Sequence, residues 1–362
     1  MSVFKIMTLV GTGVLMLLMM GCANTPAATS PAAPANATAI TVYVANEDDN
    51  TISVIDGASK QAVATIPVGK WPHQVAFSPD GARAFVANGE SATVSVIDTA
   101  SRKVISEIPV GKDPQGIAVV SKSLLYTANY DSNDISAVDL DEDKVIATIS
   151  AGGGMEMMPN PQDIVASPDG SRVFVTNLRG SEVIAINTAK NAIEKRIPLV
   201  EGTAGIGIAP SGKFLYVGGH GAMGGMAGMS GMAATPGMSK STAGEKNKDV
   251  RVIDLATNQV VGAITCGIMP IATTFSKDGK RAYVVSHGSH ELSAIDAATN
   301  KVIATIAVGK NPKGLAVSPD GAFVFVTNFD SNDVSVVDAT TLKVIATIPV
   351  GKGPHGIAVK QE

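Results

Sequence analysis

Residues 312–353, "PKGLAVSPDGAFVFVTNFDSNDVSVVDATTLKVIATIPVGKG", hold four short runs rich in Val, Ile, Phe and Ala. The runs are "GLAVS", "FVFVTN", "VSVVD" and "KVIATI", and the tight turn "SPDG" joins the first two. None has the length or the 3.6-residue period of an amphipathic helix, so the stretch reads as a four-stranded antiparallel meander.

The same phrase recurs along the chain. The proline that opens each unit falls at Pro72, Pro114, Pro161, Pro270, Pro312 and Pro354, with Thr203 in the same slot, at intervals of 42, 47, 42, 67, 42 and 42 residues. A four-stranded sheet repeated about every 40 residues is the signature of a β-propeller blade, whose radial closure protects the sheet edges. The ends fix the number of blades. "PHGIAVKQE", 354–362, is a first strand with nothing after it, and residues 41–69 are three strands lacking a first. Joined, they give a closing blade built from both termini and a total of seven.

The tetrapeptides "YVAN" at 43, "FVAN" at 85, "YTAN" at 126 and "FVTN" at 174 and 325 resemble those of YVTN β-propeller repeat proteins, over residues 40–362. The resemblance implies an all-β, seven-bladed propeller. It leaves function open, because that superfold hosts lactonases, haem-binding oxidoreductase domains, surface antigens and binding modules.

The N-terminus has another character. Lys5, an apolar run and Cys22 read as a signal peptide over residues 1–21. "LLMMGC" resembles the lipobox of bacterial lipoproteins, which implies lipidation at Cys22 and attachment to the membrane. Residues 22–39, small and proline-rich, read as a tether. Ala23, in place of an aspartate retention signal, points to the outer membrane facing the periplasm. With 28 basic against 32 acidic residues, the chain is not expected to bind nucleic acid. A monomer is expected.

In a propeller, the loops entering each first strand and those joining second to third strands open on one face. All five histidines map there. His73 and His355 follow the marker prolines of adjacent blades; His287 and His290 lie in "SHGSHE"; His220 begins an insertion over about 220–248. The methionines outside the signal map to the same face. Met155, Met157 and Met158 lie in a shorter insertion; Met223, Met226, Met229, Met232 and Met238 lie in the long one; Met269 shares "TCGIMP" with Cys266. Thioether, imidazole and thiolate select copper ahead of zinc. The Met-rich arm resembles segments of copper-handling envelope proteins.

Enzyme signatures are missing: the sequence has no G-x-S-x-G, H-E-x-x-H or dinucleotide fingerprint. The leading expectation is a non-catalytic module that captures or delivers copper, or zinc, to or from a partner protein through these fifteen residues. Two alternatives stand beside it. One is a lactonase-like or haem-bearing redox propeller with its site at the channel mouth; the other is a surface interaction scaffold. The repeated Asn46, Asn88, Asn129, Asn177 and Asn328 read as turn formers, and the repeated Asp of "VID" as structural.

Overall fold

The computed structural model describes residues 39–152, 160–199, 202–219 and 248–362. Seven four-stranded antiparallel sheets make up the described residues, with two single-turn 3-10 helices at Glu47–Asp49 and Phe329–Ser331. The innermost strands are Pro72–Phe77, Pro114–Val119, Pro161–Ala166, Thr203–Ile208, Pro270–Phe275, Pro312–Val317 and Pro354–Gln361. The last belongs to the closing blade. It pairs antiparallel with Ile40–Asn46, setting Val42 opposite Val359 and Val44 opposite Ile357, so both termini complete one sheet.

The core lies between blades. Seven apolar clusters each fill one seam between neighbouring sheets. The aromatic of the repeated tetrapeptide column, Tyr43, Phe85, Tyr126, Phe174, Tyr216, Tyr283 and Phe325, is fully buried in every blade. At roughly 2–3 kcal/mol for each large side chain removed from water, this column is a major source of stability. Polar latches cross the seams as well: Arg83 donates to the carbonyls of Leu140 and Lys122, each at 2.8 Å, and the Tyr216 hydroxyl donates to Asn300.

The repeated asparagines are not turn formers. Each ends a second strand with its side chain buried, and Asn46, Asn88, Asn129 and Asn328 donate through Nδ2 to Ser53, Ser95, Ser136 and Ser335 on the adjoining third strand at 2.8–2.9 Å. The pattern of Asn and Ser seven residues apart is therefore a cross-strand brace, and a buried Nδ2 donor paired in this way fixes register. The "VID" aspartates do act structurally: Asp56, Asp98, Asp254 and Asp296 accept backbone N–H groups two or three residues on.

One irregularity positions the site. The pairing of inner and second strands slips just after the opening residue in every blade. Proline contributes no N–H there, and after the bulge the next residue lines the central channel in every blade except that of His73.

Candidate functional site at the channel mouth

The residue after each opening position forms a ring: His73, Gln115, Gln162, Ala204, Ile271, Lys313 and His355. Most of them line a central cavity of about 470 Å³, joined by Asp163, Met269 and His287. The repeat thus supplies seven equivalent positions, and the differences among them carry the chemistry.

His73 is turned away from the cavity. Its Nδ1 lies 3.3 Å from Glu47 Oε2 and its Nε2 lies 3.3 Å from Asp113 Oδ1, with the imidazole buried between the two carboxylates. Burial alone would depress its pKa, but Asp113 and Glu47 outweigh it and raise His73 to about 9. His73 is therefore an imidazolium at neutral pH, and despite their own burial it holds Glu47 and Asp113 below the usual carboxylate range.

His355 is the opposite case. Its Nδ1 lies 3.2 Å from the carbonyl oxygen of His73. A carbonyl can only accept, so Nδ1 carries the proton and Nε2 keeps its lone pair. Burial first, and then the charge on His73, push His355 down to about 3. The two rings meet edge to face at 5.2 Å between centroids. The result is a neutral imidazole lining the cavity, anchored from behind by a backbone carbonyl, the arrangement that orients a metal-ligating histidine. Glu47, His73 and His355 each bring a ligand atom to within 4.8 Å of the others.

Gly356 makes this contact possible. A Cβ on Gly356 would stand 2.4 Å from the same His73 carbonyl, so any larger residue would force the two inner strands apart.

Backbone strain marks the mouth. In six blades the residue before the inner-strand proline has a positive φ: Asp113, Asn160, Asn311 and Gly353 adopt it readily, whereas Trp71 at 54° and Met269 at 57° do not. Holding a bulky residue there costs about 1 kcal/mol. Met269 lines the cavity, and its carbonyl accepts the backbone N–H of His287, another lining residue.

Two further charged groups line the channel. Asp163 accepts the backbone N–H groups of Ile164 and Ile206, at 2.9 and 3.1 Å, and burial raises it to about 6. Lys313 extends over the face of Phe329, 5.5 Å from the ring centroid, and burial lowers its pKa.

The structure thus brings His355, His287 and Met269 to one cavity and sets His73 beside it. His290 has a different setting. Its Nδ1 accepts the N–H of Asn311 at 3.0 Å, the loop brace that Asn50, Asn133 and Asn332 provide in other blades. Cys266 packs against the apolar seam containing Val250 and Ile264, and burial pushes its thiol up to about 12. Met155, Met157, Met158, His220, Met223, Met226, Met229, Met232 and Met238 lie outside the described residues, as does Cys22. Glu47, Asp113, Asp163 and Lys313 were not among the sequence candidates. The available signal was each residue's singularity within its repeat column: the position of Glu47, for example, is Gly89, Tyr130, Leu178, His287 or Phe329 elsewhere.

Fold and site together define a seven-bladed propeller with an imidazole-bearing channel mouth. The chain belongs to the YNCE-like β-propeller family, whose profile matches residues 5–223. The Cytochrome D1 heme domain matches residues 241–356, the stretch that holds His287, Lys313 and His355. Among solved structures, Kuenenia stuttgartiensis hydrazine synthase is similar with a TM-score of 0.65 at 21% identity, over 80% of this chain and 95% of that one. A functionally unknown protein from Desulfotomaculum acetoxidans gives 0.72 at 13% identity, over 89% and 99% of the respective chains. The dihydro-heme d1 dehydrogenase NirN in complex with DHE gives 0.61 at 18%, over 92% and 78%. At these identities the likeness is one of fold. No curated protein matches the chain in sequence.

Proposed function

We propose that this propeller binds a haem-type metal macrocycle at its channel mouth, with His355 Nε2 as the protein ligand to the metal. The observation that carries this reading is the setting of His355: its Nδ1 lies 3.2 Å from the His73 carbonyl, which leaves Nε2 to offer its lone pair, and the residue lines a cofactor-sized cavity. The donor set suits such a group, since Met269 and His287 line the same cavity and add a thioether and a second imidazole. The Cytochrome D1 heme domain match over residues 241–356 supports the same reading. When bound, a haem iron supplies one-electron chemistry and a coordination position for a small ligand. The chain's part is to hold His355 neutral, fix its tautomer through His73, and enclose the macrocycle among inner-strand side chains. Joined to the lipobox reading of Cys22, the proposed protein is a haem-bearing lipoprotein of the cell envelope.

The test is the absorption spectrum of protein purified from cells supplied with haem precursors. A Soret band and a pyridine haemochrome at one equivalent support the proposal; colourless protein that takes up no added haemin rejects it.

A second reading is favoured by the convergence of Glu47, His73 and His355 within 4.8 Å. Two imidazoles and a carboxylate suit a single zinc or copper ion, with the Met-rich arm offering thioethers to Cu(I). Elemental analysis after dialysis against each ion discriminates. One bound ion that is lost in Glu47→Gln supports the small-ion site, and retention in that variant removes Glu47 from it.

A further inference from the structure

One inner strand departs from the other six. Thr203–Ile208 opens on Thr203 where the rest open on proline, and its pairing with Phe214–Gly219 slips between Thr203 and Ile206. On one side it lies backbone to backbone against Pro270–Phe275: a Cβ on Gly205 would overlap the carbonyl of Ile271, and one on Gly207 would stand 2.7 Å from that of Thr273. On its other side the Asp163 carboxylate ties it to Pro161–Ala166. Oδ2 accepts the N–H of Ile206 at 3.1 Å across the seam, while Oδ1 accepts the N–H of Ile164 at 2.9 Å. The backbone of Asp163 is itself pinned, because the Thr176 hydroxyl accepts its N–H at 3.0 Å and donates to its carbonyl at 3.3 Å. No other blade has a carboxylate at this position: the column reads Gln74, Gly116, Gly205, Ala272, Gly314 and Gly356. Asp163, Ala204, Gly205 and Ile206 all line the cavity, so the tie sits in its wall.

We propose that Asp163 is a proton-operated latch on the channel wall: ionised, it holds strand Thr203–Ile208 to the neighbouring blade, and protonated, it slackens that strand and the side of the cavity it forms. A carboxylate accepts both N–H groups in charge-assisted bonds. A carboxylic acid turns one oxygen into a donor and leaves the other a neutral acceptor, about half as strong. The buried Ile206 then keeps only the weaker bond. The strands packed around Asp163, Pro114–Val119, Arg172–Asn177 and Thr203–Ile208, meet it with Gly116, Thr176 and Ile206, and the Arg172 guanidinium lies over the Phe174 ring instead. Lys313, His287 and His355 line the same cavity from other blades. Burial raises the Asp163 carboxyl to about 6 against the pull of its two N–H partners, with no charged group acting on it, so the latch changes state in mild acid. The inference does not depend on what the channel binds.

The test follows hydrogen exchange of the Ile206 amide in the full-length protein by NMR, at about pH 7.5 and about pH 5, each corrected for the intrinsic exchange rate. Wild type is expected to lose roughly 5-fold or more of its protection at Ile206 on acidification, the difference between a charge-assisted and a neutral acceptor. The Gly314 amide, which donates to the Thr327 hydroxyl at 2.8 Å, should keep its protection. Asp163→Asn should show the low Ile206 protection at both pH values, since asparagine offers one neutral acceptor. Constant protection at Ile206 in wild type overturns the latch. So does an acid-induced loss that Asp163→Asn repeats, or one that Gly314 shares equally. The wild-type comparison of Ile206 with Gly314 decides the matter alone where Asp163→Asn does not fold.

Discussion

The carbonyl oxygen of His73 and the Nδ1 of His355 lie 3.2 Å apart across the seam between the closing blade and the next, which ties an imidazolium to a neutral imidazole. One member is charged because two carboxylates enclose it; the other, half-buried, is held neutral by desolvation and by that neighbouring charge. The pair converts ring closure by the two termini into a defined chemical state at the channel mouth.

Replacing His73 tests the charged half. His73→Gln leaves Glu47 and Asp113 facing each other's repulsion with no cation between them, and the loss is expected to be about 2–3 kcal/mol at pH 6 by urea denaturation. The sign with pH follows from linkage. The folded pKa of about 9 lies above the ordinary 6.5, so this stabilisation is complete below pH 6.5 and is lost as pH rises through 9. Wild type and His73→Gln should therefore converge near pH 10. His355 acts in the opposite direction: its folded value of about 3 means the unfolded chain binds the proton first, and stability falls as pH drops from 6.5 toward 3.

Gly356→Ala tests the seam. The added methyl would stand 2.4 Å from the His73 carbonyl, so the inner strands must part and the His355 hydrogen bond must lengthen. A destabilisation of roughly 1–3 kcal/mol is expected, with haemin affinity lowered at least ~10-fold although no donor has been removed. Unchanged affinity in a folded Gly356→Ala would show that the seam does not orient His355.

Met269→Asn separates stability from binding. Asparagine adopts the positive φ of 57° more readily than methionine does, so the variant should melt higher, by about 0.5–1 kcal/mol of stability, while binding haemin more weakly. A variant that is both less stable and unaltered in binding would assign Met269 to packing alone.

Cys266 supplies a contrast. With its thiol held near 12 against an apolar seam, alkylation of native protein at pH 8 should run at least ~100-fold slower than that of urea-unfolded protein, by mass spectrometry. Cys266→Ser should leave haemin binding unaltered.

The fold was legible in the sequence because the repeat writes it seven times. The Pro column marks the inner strands, the tetrapeptide aromatics mark the seams, and the orphan strand "PHGIAVKQE" requires closure with Ile40–Asn46. The site was legible only in part. His73 and His355 stand out in their column and are adjacent once the ring closes, but nothing local distinguishes their protonation states. Those depend on Glu47, brought in from the first described strand pair, and on Asp113, from the loop entering the next blade. The asparagine column misled for a related reason. Asn is a turn former by local preference, and its brace to Ser53 or Ser335 needs a partner seven residues on, across a hairpin.

The most direct measurement is a titration of the metal-free protein with haemin, wild type beside His355→Ala, read at the Soret band and by stoichiometry. The account predicts one tight site in wild type and a loss of at least ~100-fold in affinity, with an altered ligand-field spectrum, in a folded His355→Ala. The same band position and affinity in both proteins would contradict it.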